Sequence, residues 1–314
     1  MPTPKLTDDQ CIEALNIVEQ YGSPYLAAKA LGEALPYPEK TIAYRIAEAK
    51  TRNLRPTFRK EEQRIYTRQR LGRMHVWIPD VQAKAGVNTD HLTHVGNFIA
   101  EKRPDVIVCI GDFWDMPSLS SYDKGKLSFE GRRYVKDIEA GRQAMEKLLA
   151  PFSGIAGYAP RKVFCLGNHE ERILRMVDMN PEFQGKFTLD DLGLKDYGWE
   201  VHKFLEVVDV DGIEASHYFT SGVMGRPCNS AAVMLRERQK SCTQGHVQTF
   251  DMAVHKKTQN IAMMLGCCYT HDEDYLTPQG NTYRRQIVVK HEVDGRGHYD
   301  PMLVSLDFLK KSYS

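Results

Sequence analysis

The chain has 314 residues, of which 42% are hydrophobic, 26% charged and 10% aromatic, a composition typical of a globular protein rather than a disordered or fibrous one. No stretch approaches the ~20 apolar residues of a membrane span, and the first ten residues lack the apolar core of a signal peptide. The seven cysteines form no CxxC pattern, so we expect a reduced protein of the cytoplasm that does not contact a membrane.

The net charge of +1 conceals an uneven distribution along the chain. Residues 40–73 contain 11 basic and 3 acidic residues, a net charge of +8. A basic segment beside a nearly neutral remainder favours a polyanionic partner such as nucleic acid. A solvated linker is the alternative that composition leaves open.

The first fifty residues predict three helices. Thr7 and Gln10 have the spacing of a capping box at the start of the first helix. Ser23 and Pro24 open a second, Ala-rich helix that stops at Gly32. The third helix begins near Pro38, and its apolar face runs through Ile42, Ile46 and Ala49.

A short helix, a Gly-containing turn and a basic third helix are the parts of a helix-turn-helix. The segment from Tyr21 to Lys50 resembles the DNA-binding helix-turn-helix of resolvase-like and regulator proteins, although its turn is several residues longer. The resemblance implies a recognition helix whose outward side chains contact nucleic acid, followed by two further arginines: Thr41, Tyr44, Arg45, Lys50, Arg52 and Arg55. A docking unit for another protein is the alternative. The predicted domain covers residues 1–52, and a basic linker covers residues 53–73.

From Met74 onward, short apolar strands alternate with amphipathic helices, which predicts βαβ units and a mostly parallel sheet. The later part of the chain differs. Asp211-Gly212 and Asp294-Gly295 lie between β-rich runs and predict hairpins. A second, more antiparallel sheet is therefore expected.

Three of the predicted strands end in polar residues. Asp80 follows the first strand, Asp112 follows the second, and Asn168-His169 follows the third. Because ligands bind at the carboxyl ends of strands in open α/β sheets, these side chains are expected at one rim. His217 and His246 follow later strand-like segments and can reach the same rim. Carboxylate, amide and imidazole groups together predict a metal site.

The order of these motifs resembles that of the calcineurin-like metallophosphoesterases. GDFWD and GNHE match the family pattern fully, and His217 and the pair Gly245-His246 match in order and spacing. The resemblance covers roughly residues 74–300. It implies an α/β fold for residues 74–314, a four-layer α/β/β/α metallophosphoesterase sandwich preceded by the small all-α helix-turn-helix domain.

The resemblance also implies two divalent metal ions. Asp112 is expected to bridge them, and one ion is completed by Asn168, His217 and His246. The other is completed by Asp80 with the residues at positions 82 and 248. His169 is expected to assist the leaving group, while Asp115 and Glu170 orient the ligands.

The sequence departs from the family at two positions, because Gln82 and Gln248 stand where the family has histidines. Both positions belong to the same metal. The expected ligands there are oxygen atoms only, which favour Mg²⁺ or Mn²⁺ over Zn²⁺. We expect an unequal pair, Mn²⁺ above all with Mg²⁺, Fe or Zn²⁺ as alternatives, in which the glutamine site is weak. A vacant glutamine site is the competing interpretation.

The expected function is that of a nuclease or phosphodiesterase, in which a metal-bound hydroxide attacks phosphorus in line. The basic segment favours nucleic acid as substrate, DNA rather than RNA. One alternative is a DNA-binding regulator with an inactive esterase domain. Another is a phosphomonoesterase or protein phosphatase. The chain also resembles proteins encoded by bacteriophages, which implies the host cytoplasm as its location.

Two features near the second motif have alternative interpretations. Phe113 and Trp114 can stack on a base or pack in the core. The loop of residues 116–134 carries Lys124, Lys126, Arg132 and Arg133, and long loops beside active sites often hold substrate. These cations either contact a phosphate backbone or lie in solvent.

Overall fold

A computed structural model describes residues 6–21, 23–31, 38–56, 72–273, 280 and 283–314. The chain divides into two compact units, residues 1–69 and 70–314. The division falls inside the predicted linker of residues 53–73, most of which, residues 57–71, lies outside the described residues.

The first unit contains three helices, α1 (Asp8–Tyr21), α2 (Pro24–Leu31) and α3 (Glu39–Thr51). The capping box is present, because the Thr7 N–H donates to Oε1 of Gln10 at 3.0 Å and the Gln10 N–H donates to Oγ1 of Thr7 at 3.3 Å. The buried apolar residues described in this unit are Cys11, Ala14, Ala27, Ile42 and Ala49.

The prediction that Arg45 faces outward is wrong. Only 7% of Arg45 is exposed, and its Nη1 lies 3.8 Å from Oε2 of Glu13 on α1. The helical period explains the error, because positions 42, 45 and 49 share the face that packs inward. The sequence predicts an inward face through Ile42, Ile46 and Ala49. The observed face differs from it by one position, because Arg45 is buried in place of Ile46.

The second unit is a mixed α/β structure built on two main sheets and a two-stranded ribbon. Its strands in chain order are β1 (Arg73–Ile78), β2 (Val106–Cys109), β3 (Arg161–Cys165), β4 (Glu200–His202), β5 (Val208–Val210), β6 (Ile213–Ala215), β7 (Thr220–Ser221), β8 (Arg226–Pro227), β9 (Cys242–Gln244), β10 (Phe250–Val254), β11 (Ile261–Leu265), β12 (Gln286–Val293) and β13 (Asp300–Ser305). Its helices are α4 (His91–Lys102), α5 (Tyr134–Leu149), α6 (Arg172–Met179), α7 (Ala231–Arg238) and α8 (Leu306–Tyr313).

The larger sheet has the strand order β13-β12-β1-β2-β3-β4. Strands β1 to β4 are parallel, and β12 and β13 add to the β1 edge as antiparallel strands. The second sheet has the order β10-β11-β9-β6-β5. Its three central strands are parallel and its two edges antiparallel. Both predicted hairpins are present, and Asp211 and Gly212 take φ angles of 54° and 85° in the turn between β5 and β6, which suits the hand of a tight hairpin.

Three hydrophobic clusters hold the second unit together. The first joins α4, α5 and α8 to the larger sheet, and includes Phe98, Leu148 and Leu309. The second combines side chains of both main sheets, among them Trp77 and Met263. The third joins α7 to the second sheet. Each large side chain buried in these clusters contributes about 1.5–3 kcal/mol.

The cluster formed by both sheets also contains a fully buried lysine, Lys290 on β12. Its Nζ lies 3.6 Å from the ring centre of Trp77 and 4.5 Å from that of Tyr299, and it donates to Oγ1 of Thr243. Burial lowers the pKa of Lys290 well below its ordinary value.

All seven cysteines are buried and unpaired with one another, so the adjacent pair Cys267-Cys268 packs in the interior. Across the described part of the chain, no helix has both the length and the apolar character needed to cross a membrane.

Candidate metal centre

Five loops bring the candidate ligands together, and each loop follows the carboxyl end of a parallel strand. Asp80, Asp112 and Asn168 follow β1, β2 and β3, which are neighbours in the larger sheet. His217 and His246 follow β6 and β9, neighbours in the second sheet. The carboxyl ends of both sheets therefore meet at one place, as the sequence predicts.

Four of these side chains point their ligand atoms at a common centre. Oδ1 of Asn168 lies 3.0 Å from Nε2 of His217 and 2.8 Å from Nδ1 of His246. Nε2 of His217 lies 3.2 Å from Oδ2 of Asp112. Ligand atoms about 2.1 Å from an ion and at right angles around it are about 3 Å apart. The spacing therefore suits one divalent ion, and Asp112, His217 and His246 form a group of metal-ligating type.

The hydrogen bond of His217 leaves the correct nitrogen available for a metal. Its Nδ1 lies 2.8 Å from the backbone oxygen of Ile110. A carbonyl only accepts, so Nδ1 carries a proton and Nε2 faces the centre, where it can bind a metal once it is deprotonated. Burial opposes a positive charge on this imidazole, yet Asp112 and Asp80 raise the pKa of His217 to about 9. The pocket attracts positive charge, which fits a bound cation.

The loops of the centre are held in strained backbone conformations. Gln82, Asp112, His246 and Gln248 have φ angles of 46°, 49°, 65° and 62°. Residues other than glycine rarely adopt such angles, and they persist where the surrounding structure enforces them. The loops after β1 and β2 each contain one of these residues, and the loop after β9 contains two. The strain is therefore concentrated where the candidate ligands meet.

Glu170 fastens two of these loops to each other. Its fully buried carboxylate accepts hydrogen bonds from the backbone N–H groups of Asp112, Phe113, Trp114 and Gly167, at 2.7–3.0 Å. Burial raises the pKa of Glu170, and the charge of Asp112 raises it further. Glu170 thus orients Asp112 through the backbone without touching the centre.

Asp80 lies beside the four ligands, and other groups donate hydrogen bonds to its carboxylate. Oδ1 of Asp80 accepts from the His246 N–H at 3.0 Å, and Oδ2 lies 3.5 Å from Nε2 of Gln248. Burial and the neighbouring Asp112 raise the pKa of Asp80 to about 7. Gly245 makes the contact possible, because a Cβ there would meet Oδ1 of Asp80 at 2.4 Å. Gln82 is buried nearby, and its backbone N–H donates to the backbone oxygen of Asp112 at 2.9 Å.

His169 lies on the outer side of Asp112. Its Nδ1 is 2.9 Å from Oδ1 of Asp115, and its Nε2 is 3.7 Å from Oδ2 of Asp112. Arg172 Nη2 is 3.1 Å from the same Nε2. Burial lowers the pKa of His169, but Asp112 and Asp115 outweigh it and raise that pKa above its ordinary value. Asp115 therefore orients an imidazole that can carry a proton.

A cavity of about 780 Å³ opens beside His169, Asp115 and Arg172. The loop of residues 116–134 contributes Lys126, Arg132 and Arg133 to its wall. Lys126 and Arg132 form ion pairs with Asp123 at 3.0 and 2.8 Å. Phe113 and Trp114 are completely buried in the core beneath this loop, so they do not stack on a ligand.

The predicted nucleic-acid residues of the first unit differ in exposure. Tyr44 is 62% exposed, and Lys50 and Arg55 are also exposed while Thr41 is partly buried. Arg52 is held by ion pairs with Asp8 at 2.9 Å and Glu48 at 2.7 Å.

Sequence reasoning did not identify three residues that border the centre. Arg172 follows GNHE by two positions, so its proximity to His169 could have been suspected from spacing. Lys84 forms ion pairs with Asp115 at 3.1 Å and with Glu273 at 3.0 Å. Tyr269 donates to Oε1 of Gln248 at 2.9 Å. The sequence offers no signal for Lys84 or Tyr269, because their partners are 21 or more positions away.

Comparisons with known proteins add little to this description. No protein-family model and no curated protein matches the chain. Among solved structures, one that resembles it is wild-type Vps29 complexed with Zn²⁺ from Entamoeba histolytica, with 11% sequence identity and a TM-score of 0.33. The likeness covers 74% of this chain and 99% of that one. A TM-score this low carries no inference about activity.

Proposed function

We propose that this protein is a metal-dependent phosphoric ester hydrolase that cleaves phosphodiester bonds of nucleic acid. The observation that carries the proposal is the convergence of Asp112, Asn168, His217 and His246, whose ligand atoms lie 2.8–3.2 Å apart beside His169. A divalent ion held there would supply Lewis-acid activation of a phosphoryl group and of water. The remaining chemistry belongs to the side chains around it.

His169 has the geometry of a general acid. Asp115 accepts from Nδ1 of the imidazole, which leaves Nε2 facing the centre. Carboxylates raise the pKa of His169 against the effect of burial, which favours a proton on the imidazole. The proposed role is donation of that proton to the departing oxygen. Arg172 Nη2 lies 3.1 Å from Nε2, and a guanidinium only donates, so protonation of Nε2 would release Arg172 to contact a phosphoryl oxygen.

Among the described residues, six lysine and arginine side chains and five acidic ones line the adjoining cavity, and its cationic part supports an anionic substrate longer than one phosphate. Arg133 and Lys136 line its wall together with Arg172. Arg133 Nη1 donates to the backbone oxygen of Arg132 at 2.7 Å, which holds its guanidinium along the loop. A phosphodiester strand lying across His169 would place a flanking phosphate within this cavity.

Support for nucleic acid also comes from the first unit. Residues 40–73 carry a net charge of +8, and Tyr44 and Lys50 are exposed on α3. Phosphate contacts by lysine and arginine dominate nucleic-acid affinity and make it salt-dependent. The proposed arrangement is a first unit that binds the strand and a second unit that cleaves it.

The three hydrophobic clusters support the four-layer α/β/β/α sandwich of the calcineurin-like metallophosphoesterases as the fold of the second unit. The helices α4, α5 and α8 pack on one sheet and α7 packs on the other. The cluster containing Trp77 and Met263 draws on both sheets.

Incubation of the full chain with single- and double-stranded DNA and RNA, with Mn²⁺ and with chelator, tests the proposal. Cleavage that requires Mn²⁺ is expected, together with faster hydrolysis of bis-p-nitrophenyl phosphate than of the monoester. Salt-sensitive DNA binding without cleavage would instead favour a DNA-binding regulator. Preferential hydrolysis of the monoester would favour a phosphatase.

A further inference from the structure

We infer that this chain holds one metal ion, at Asp112, Asn168, His217 and His246, and that the side-chain amide of Gln248 replaces a second ion beside Asp80. The inference rests on the metal-dependent activity proposed above and revises the pair of ions that the sequence resemblance implies. It follows from the direction in which the Gln248 amide points.

The amide of Gln248 presents its nitrogen to Asp80. Nε2 of Gln248 lies 3.5 Å from Oδ2 of Asp80, at the long limit of a hydrogen bond. An amide N–H₂ has two donors and no lone pair to offer a cation. The partial positive charge of this group therefore faces the carboxylate, whereas a glutamine ligand to a second metal would present its oxygen.

Tyr269 binds the other end of this amide. Its hydroxyl donates to Oε1 of Gln248 at 2.9 Å, and the tyrosine is completely buried. Its ring is stacked against His271 with ring centres 4.6 Å apart, which restricts its movement. A reversed amide would bring Oε1 to about the same distance from Oδ2 of Asp80, where two oxygens repel each other.

Asp80 is also committed to the protein on its other oxygen. Oδ1 accepts the backbone N–H of His246 at 3.0 Å. Asp80 thereby positions the loop that carries the ligand His246.

Metal stoichiometry of the full-length protein tests the inference without reference to activity. Mn²⁺ is titrated by calorimetry, and bound metal is counted by elemental analysis after gel filtration. One ion per chain is expected. Two ions per wild-type chain would overturn the inference while leaving the proposed function intact, whereas no bound ion would overturn the proposed function.

Variants identify which residues hold the single ion. Asp80→Asn is expected to keep one ion with a Kd raised by about 10–100-fold, the usual cost of losing a residue that supports a ligand. His246→Ala is expected to raise Kd by more than about 100-fold. The reverse ranking of these two variants would contradict the assignment. Near-ultraviolet circular dichroism checks that both remain folded.

The double variant Gln82→His, Gln248→His provides the gain-of-function arm. It removes the amide that faces Asp80 and restores imidazole at both positions. Two ions per chain are expected, with the electron paramagnetic resonance signal of a coupled Mn²⁺ pair. The same coupled signal in the wild-type protein would refute the replacement of the second ion by Gln248.

Discussion

Replacing Glu170 by glutamine perturbs the hydrogen bonds that join the loops of the metal centre. Oε1 of Glu170 accepts from the N–H groups of Phe113 at 2.7 Å and Trp114 at 3.0 Å. Oε2 accepts from Asp112 at 3.0 Å and Gly167 at 2.9 Å. Each oxygen thus accepts two N–H groups, and a proton on either oxygen would face a donor and have no hydrogen-bond acceptor. The carboxyl group is therefore ionised in the folded protein.

The magnitude follows from the number of bonds that glutamine cannot make. The glutamine side chain has one oxygen, which accepts two of the four backbone N–H groups. Its N–H₂ group faces the other two, which donate to the second carboxylate oxygen in the wild-type protein. A hydrogen bond to a charged acceptor contributes about 1.5–3 kcal/mol. Loss of two such bonds in a completely buried site is therefore expected to cost about 3–6 kcal/mol, a large share of the about 5–15 kcal/mol that stabilises a typical folded protein.

Urea unfolding of Glu170→Gln, followed by circular dichroism, measures this loss. The neighbouring variant Glu171→Gln removes the same charge from a partly buried position and is expected to change stability by no more than about 0.5 kcal/mol. Mn²⁺ affinity should fall only in Glu170→Gln, because that side chain orients Asp112. A loss below about 1 kcal/mol in Glu170→Gln would show that the carboxyl group is protonated or that the loops rearrange, contrary to the hydrogen-bond argument.

Three further predictions concern other positions. His169→Gln is expected to lower kcat by about 10²–10⁴-fold while Mn²⁺ affinity measured by calorimetry stays unchanged; equal loss of both would contradict a general-acid role. Lys290→Met is expected to be at least as stable as wild type at pH 7, because the buried amine is replaced by an apolar chain of similar length. Burial lowers the folded-state pKa of Lys290, so the unfolded chain binds more protons between the folded and unfolded pKa values. Wild-type stability should therefore rise relative to Lys290→Met as the pH increases towards 10, by at most about 1.4 kcal/mol per pH unit. Parallel pH profiles in urea unfolding would show that the amine stays charged. Gly245→Ala places a Cβ 2.4 Å from Oδ1 of Asp80 and is expected to lower stability by about 1–3 kcal/mol and to weaken Mn²⁺ binding through His246; an unchanged Kd would show that the loop adapts.

Arg45 and Gln248 show where inference from the sequence reached its limit. The apolar residues of α3 predict a helix, but a shift of one position in the buried face reverses the exposure of Arg45, which is 7% exposed. The type of residue at position 248 indicates an altered site. Whether its oxygen or its nitrogen faces Asp80 depends on Tyr269, a partner 21 residues away.

The sequence by itself determined where the chemistry of this protein lies. Apolar runs that end in Asp80, Asp112 and Asn168 predict parallel strands, and the carboxyl ends of such strands meet at one edge because the chain crosses back between them. Only the tertiary structure decided what the site can hold. Hydrogen-bond direction and burial depend on atoms brought together by distant segments, such as Glu170 with its four backbone donors and Tyr269 with Gln248. The local sequence pattern does not indicate which distant residues make these contacts.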